Sequence, residues 1–291
     1  MTLGVALSGG PDSVSLLLLA AHAFPDQVMA ATVDHGLRDA SASEARLCHR
    51  LCEALGVPHA TLEVTVGDGN LQARARAARY AALARWAVDV EVDAVLTAHH
   101  ADDQAETLLM RLGRGSGVDG LAGVRAAAVV PGTQIALLRP LLGWRKDELE
   151  HIVKDAGVET VRDPSNADAR FDRARVRSAL ADADWLDVLA LAASAGHLAD
   201  AAAAIAWAAE REYDECVEQG SGFVMYRPRA PFAVRLKVLS RIAAEFGDAP
   251  RGGALATLVR GLGAGERANI AGVLIERRTD HWRVAKEPPR S

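Results

Sequence analysis

Six residues near the N-terminus, Ser8-Gly9-Gly10-Pro11-Asp12-Ser13, have the makeup of a loop that holds an anion. Glycines let backbone N–H groups approach an oxyanion closely, and the two serine hydroxyls add donors. An apolar stretch (Leu3 to Leu7) precedes them and a leucine-rich run (Val14 to Leu19) follows, so the turn lies between a buried strand and a helix start. A helix start offers unpaired N–H groups and the positive end of the helix dipole. No Gly-Lys-Ser/Thr ending follows, so no lysine reaches a terminal phosphate. Asp12 needs its own reason. A carboxylate beside phosphates is repelled unless a divalent cation lies between them, which points to Mg2+. The same six residues would also make an ordinary strand–turn–helix with Asp12 or Ser13 in the first turn.

A second constellation is Thr97-Ala98-His99-His100-Ala101-Asp102-Asp103-Gln104-Ala105-Glu106-Thr107. On a helix, His99, Asp103 and Glu106 fall at i, i+4 and i+7 and share one face. One imidazole and two carboxylates there could hold Mg2+, steer an amine or take a proton. Capping-box spacing accounts for Asp103 and Glu106 locally, but not for the whole cluster. Asp34 and His35 lie in Val33-Asp34-His35-Gly36-Leu37-Arg38, a loop placed to meet an adenine or a second substrate, and also good turn chemistry. Arg76 and Arg79 stand about one turn apart on a helix. Arg111 and Arg114 flank a glycine-rich loop able to close on phosphates or RNA.

The elements needed to position these groups are legible. Apolar runs at Leu3–Leu7, Val28–Val33, Ala60–Val66 and Ala94–Ala98 read as strands. Asp12–Phe24, Ser41–Leu55 and Leu71–Trp86 between them have helical spacing, and Ser41 with Glu44 forms a capping box. A further strand is expected near Gln134–Leu138. This βαβα rhythm predicts a Rossmann-like α/β domain, a parallel five-stranded doubly wound sheet, whose ligands bind beyond the carboxyl ends of the strands. After Asp163-Pro164-Ser165-Asn166 the texture becomes alanine-rich, with helices expected over Leu186–Ala193 and His197–Glu218. The expected layout is a catalytic domain over 1–180, a smaller all-α domain over 181–287 and a disordered tail over 288–291.

Composition sets the remaining bounds. The chain has 291 residues, is half hydrophobic and a quarter charged, and carries a net charge of −5. That charge argues against indiscriminate nucleic-acid binding, while local basic patches suit a specific anionic partner. Arg170, Arg173, Arg175 and Arg177 make one patch, and Arg227, Arg229, Arg235 and Lys237 another; each could equally be a solvated face. Three cysteines without a CxxC pair argue against a disulfide framework or zinc knuckle. No charged leader and no unbroken apolar run of membrane length is seen, so a reducing, cytoplasmic setting without a membrane partner is expected.

Taken in order, SGGPDS (8–13), VDHGLR (33–38), ARAARY (75–80), TAHHADDQAET (97–107), RGSG (114–117), RPLL (139–142) and DPSN (163–166) resemble the tRNA(Ile)-lysidine synthetase family of the PP-loop ATP pyrophosphatase superfamily. The first block marks only the superfamily; TAHHADDQAET and DPSN mark the family. Where family members carry Arg-Asn-Arg after DPSN, this chain has Arg173-Ala174-Arg175, which removes the amide from one RNA or interdomain contact. The additional C-terminal module of longer relatives is expected to be missing or reduced.

The resemblance implies a ligase. ATP adenylates the C2 oxygen of the wobble cytidine of tRNA(Ile) with a CAU anticodon, pyrophosphate leaves, and the ε-amine of free L-lysine displaces AMP. It implies ATP binding by Ser8, Gly9, Gly10, Pro11, Asp12, Ser13 and His35, with Mg2+ on Asp12 and Asp103. Asp34, Asp103 and Glu106 would attract the lysine ammonium, whose pKa of roughly 10.4 requires a proton to leave before attack. Asp34, His99, Asp103 and Glu106 form the catalytic set, with His99 as base or orienter. Arg76, Arg79, Arg111, Arg114, Arg170, Arg173, Arg175, Arg177, Arg227 and Arg235 would contact tRNA. The oligomeric state stays open, a homodimer included. The rivals are a PP-loop tRNA thiolase, disfavoured by the lack of CxxC, and a non-catalytic ATP-binding module, disfavoured by so many acids near a phosphate loop.

Overall fold

The computed structural model describes all residues except 37–40, 66–70, 162–171, 249, 251 and 289–291. The chain divides into two compact units: Met1–Met110 with Val124–Ala193, and Arg111–Gly123 with Ser194–Ser291. In chain order its first half holds β1 (Leu3–Ala6), α1 (Pro11–Ala23), β2 (Val28–Asp34), α2 (Ser41–Ala54), β3 (His59–Glu63), α3 (Leu71–Asp89), β4 (Ala94–Leu96) and α4 (Ala101–Leu112). There follow α5 (Val118–Leu121), β5 (Ala127–Val129), β6 (Ala136–Leu138), α6 (Lys146–Asp155), α7 (Asp172–Ala181) and α8 (Val188–Cys216).

The first unit is a six-stranded sheet in the order β3-β2-β1-β4-β6-β5. Its first five strands are parallel, as the βαβα rhythm requires. The sixth strand, β5, is an addition: it runs antiparallel to β6 at the edge, and its three residues are exposed, so they give no burial pattern to read. Parallel strands must be covered on both faces. Leu16 and Leu17 of α1, Cys48 and Cys52 of α2 and Leu149 and Val153 of α6 pack with Leu3 and Val5 in one apolar cluster. Leu83, Trp86 and Ala87 of α3 form another with Ala31, Val95 and Leu137. Each fully buried side chain of this size contributes roughly 1.5–3 kcal/mol.

The topology fixes where a ligand goes. The chain steps from β1 to β2 to β3 on one side, then returns to place β4 on the other side of β1. The crevice at such a switch point opens at the carboxyl ends of β1 and β4. Residues 8–13 follow β1 and residues 97–103 follow β4, so the two constellations flank it.

The second unit also contains β7 (Val217–Gln219), β8 (Phe223–Tyr226), α9 (Phe232–Phe246), α10 (Gly252–Gly261), β9 (Arg267–Ile270), β10 (Val273–Arg277) and β11 (Trp282–Lys286). The expectation of an all-α domain is corrected here. The last five strands form an antiparallel sheet in the order β7-β8-β11-β10-β9. Val224, Tyr226, Val273, Ile275, Trp282 and Val284 from it share a core with Val238, Leu239 and Ile242 of α9 and Leu255 of α10. The strands are only three to five residues long, and the alanine-rich helices before them dominate the composition. The two helices expected over 186–218 are one, α8. Gly196 does not break it, because a solvent-exposed glycine costs a helix interior only about 1 kcal/mol. An 18-residue stretch of α8 reaches a mean hydropathy of 1.6, enough by length and composition to cross a membrane. Its buried residues Ala195, Ala202, Ala209 and Cys216 nonetheless recur at sevens, one stripe of a surface helix.

Candidate functional site

The loop of residues 8–13 is fixed by its own hydrogen bonds at the start of α1. Gly10 is the N-cap of α1 in extended conformation, Pro11 fills the first turn, and no side chain caps the helix. Pro11 has no N–H to leave unpaired, and its φ suits the helix start. The Ser13 hydroxyl donates to the Gly10 carbonyl at 3.0 Å and accepts from the Ser8 N–H at 3.1 Å, closing the loop on itself. Gly9 has φ +80°, and a Cβ there would stand 2.8 Å from Val161 Cγ2 and 3.0 Å from Cys48 Sγ. Only glycine fits. The Val161 N–H donates to the Gly9 carbonyl at 2.8 Å and ties the loop to the chain leaving α6.

Across the crevice, α4 starts at Ala101 and presents its acids to the loop. Asp103 accepts the His100 N–H at 3.2 Å, as a first-turn carboxylate should. The His100 ring, 3 % exposed, puts Nε2 3.6 Å from both Asp12 and Asp103, and Nδ1 3.6 Å from Asp102. Burial opposes a charge on this ring, but Asp102, Asp12 and Asp103 outweigh it and push its pKa up to about 9. Asp102 accepts from Arg145 at 3.1 and 3.2 Å and from the Lys146 N–H at 2.8 Å. Burial works against its charge, yet His100, Arg145 and that N–H hold the carboxyl well below the usual range.

His99 behaves in the opposite way. Burial pushes its pKa down to about 4, with Arg139, Arg76 and Arg173 adding to the effect and Asp103 only partly offsetting it. The ring is neutral at pH 7, and its Nδ1 lies 3.1 Å from the Thr97 hydroxyl. Asp34, at the carboxyl end of β2, accepts from the Gly36 N–H at 2.8 Å. The Ser41 hydroxyl and that N–H keep its carboxyl below the ordinary value. Burial and the nearby Arg79 lower the pKa of His35.

Glu106 is 1 % exposed and is held by two arginines of α7. Arg173 Nε lies 2.9 Å from it and Arg177 Nε 2.6 Å. Arg173 also reaches Asp103 at 3.5 Å. Two of the arginines expected on tRNA are therefore turned onto the acids expected to hold lysine. Arg111 is spent on the Gly120 and Gly123 carbonyls at 2.5 and 3.3 Å. Arg76 stacks on Tyr80 at 5.1 Å, and Arg175 pairs with Asp172 at 2.6 Å. Arg79 and Arg114 are exposed. In the second unit, Arg227 pairs with Glu218, Lys237 with Asp119 at 2.8 Å, and Arg235 and Arg260 approach the Phe232 ring at 6.0 and 4.5 Å. Arg170, Arg38 and the block 163–166 lie outside the described residues.

Sequence reading gave no site role to His100, Asp102, Arg145 or Arg139. The first two stand inside the TAHHADDQAET block, where spacing favoured the other face of the helix. Arg145 meets Asp102 across 43 residues, which no local pattern reveals. Arg139, 8 % exposed, donates to the Arg125 carbonyl at 2.6 Å.

The PP-loop domain model (ATP_bind_3) matches residues 1–183. The tRNA(Ile)-lysidine synthase of Novosphingobium aromaticivorans is 47 % identical over 98 % of this chain and 88 % of its own length. That of Zymomonas mobilis is 40 % identical over 99 % and 89 %. Among solved structures, the U34-tRNA thiolase NcsA from Methanococcus maripaludis superposes with a TM-score of 0.59 at 15 % identity, over 69 % of this chain and 72 % of NcsA, a likeness of fold. A glycine-rich loop facing an acid cluster across one switch-point crevice is thus joined to near-complete alignment with these synthases, and the chain belongs to the tRNA(Ile)-lysidine synthase family of PP-loop proteins.

Proposed function

We propose that the chain ligates free L-lysine to C2 of the wobble cytidine of a CAU-anticodon tRNA(Ile), through an adenylated cytidine, with release of pyrophosphate and then AMP. One observation carries the reading: the open N-terminus of α1 and the acids of α4 meet around His100, so phosphate and amine chemistry share one crevice. The uncapped N–H groups of α1, with Ser8 and Ser13, bind the phosphates that leave. Asp12 keeps one buried oxygen, Oδ1, without a partner, which suits a cation. Mg2+ is commonly held by one or two carboxylates plus phosphates, and Asp12 and Asp103 fit that role; when bound it offsets charge on the leaving group.

Glu106, Asp103 and Asp34 attract the lysine ammonium, which must displace Arg173 and Arg177 from Glu106 to bind there. Neutral His99 is free to accept a hydrogen bond or a proton from the amine. The exposed arginines of α3, α7 and the second unit engage the tRNA backbone. A tRNA substrate and three unpaired cysteines support a cytoplasmic setting. Thiolation is less well supported, because only three cysteines exist and Cys48 and Cys52 are packed in the sheet core. The test is incubation with ATP, Mg2+, labelled lysine and unmodified tRNA(Ile), followed by nucleoside analysis. Lysidine is expected, with multiple-turnover pyrophosphate release that requires both lysine and tRNA, because only lysine clears the adenylated cytidine; release with neither would overturn the reading.

A further inference from the structure

His100 has no part in the chemistry above, yet its buried ring lies between the acids of two elements that flank the crevice. Its Nε2 is 3.6 Å from Asp12 Oδ2 on α1 and 3.6 Å from Asp103 Oδ2 on α4. Two carboxylates that close to one point repel each other, and burial leaves little water to screen them. The ring is in turn backed by Asp102, which Arg145 and the Lys146 N–H clamp to the start of α6. That helix is tied to α1 by the buried Ser15 hydroxyl, which donates to the Leu149 carbonyl at 2.6 Å.

We infer that His100 is a positioning residue: its buried ring fills the gap between Asp12 and Asp103, fixes their separation, and is itself backed by the Asp102–Arg145 pair. The inference rests on the reading of Asp12 and Asp103 as ligand-facing acids. It follows that the free protein holds these acids in register without a divalent ion, and that Asp12 Oδ1 stays available to the incoming one.

The test uses the full chain without ATP, comparing thermal unfolding in Mg2+ with unfolding in EDTA at matched ionic strength. His100→Leu is expected to unfold roughly 6–10 °C lower than wild type in EDTA, as for a change that leaves two partly buried acids facing each other with no donor between them. Mg2+ is expected to return at least half of that loss and to move wild type by less than about 2 °C. Equal Mg2+ responses in the two proteins would overturn the inference. Should His100→Leu fail to fold, His100→Gln keeps a donor but not the ring that fills the gap, and is expected to show the same excess response, smaller in size; its absence counts against the inference equally.

In pyrophosphate release, the half-saturating Mg2+ is expected to shift several-fold in His100→Leu while the KM for lysine stays within about twofold. Asp102→Asn should shift it in the same direction, and an unchanged value would remove the Asp102–Arg145 support. If wild type forms no lysidine but the Mg2+ responses differ, the functional reading fails and the role of His100 stands. Lysidine formation with coincident responses gives the reverse.

Discussion

At the scale of single residues, three side chains give the sharpest expectations. Gly9→Ala forces a φ of +80° on a residue with a Cβ and drives that atom into Val161 and Cys48. The loop must open, so ATP-dependent pyrophosphate release should fall by at least about 100-fold, with donors aimed at the phosphates lost. Glu106→Gln should lower kcat/KM for lysine by roughly 100-fold and leave the KM for ATP unchanged. A shared loss in both would place Glu106 among the phosphate ligands instead. Arg177→Ala removes one guanidinium from a carboxylate that is 1 % exposed. Arg173 remains, and Arg177 is itself 38 % exposed, so urea unfolding should show a loss of only about 1–2 kcal/mol.

At the scale of elements, Glu212 shows how α8 sets the start of α9. Its carboxylate accepts the Arg229 and Ala230 N–H groups at 2.7 and 3.0 Å and the Tyr226 hydroxyl at 3.0 Å. Burial opposes its charge, but these donors win and lower its pKa. A carboxyl lowered in the folded state stabilises above its unfolded pKa of about 4.3 and loses that contribution as pH falls through the folded value. The stability gap between wild type and Glu212→Gln should therefore be constant from pH 8 to 6 and shrink toward pH 3; denaturant titrations across that range would show it. Glu212 also illustrates what the sequence withheld. Its three donors lie 14 to 18 residues away, one at the end of a four-residue strand and two in the loop that follows it. The five parallel strands were legible because each is an apolar run between helical periods. The apolar run Val273-Leu274-Ile275 and the alternation Trp282-Arg283-Val284 were present too, but alanine-rich helices masked them. For the site, motif spacing found His99, Asp103 and Glu106. It missed His100 because the contact with Asp12 depends on the crossing from β1 to β4.

For the whole molecule, the net charge of −5 and a basic patch coexist because the patch is local. Many of its cations are already engaged: Arg227 with Glu218 and Lys237 with Asp119. Arg235 and Arg260, which both approach the Phe232 ring, are the better candidates for phosphate contact. The double change Arg235→Ala with Arg260→Ala should weaken tRNA binding and reduce the salt dependence of log Kd by about 1–2, leaving ATP affinity intact. An unchanged slope would direct attention to α3 and α7. The three cysteines have a separate consequence for the molecule as a whole. All are buried thiols: Cys48 and Cys52 belong to the first unit and Cys216 to the second. Burial pushes Cys48 and Cys216 above the ordinary thiol pKa and Cys52 up to about 12, so none offers thiolate to an alkylating reagent in the folded state. Each unit therefore carries its own internal clock. Alkylation followed peptide by peptide would time how often one half opens while the other stays shut.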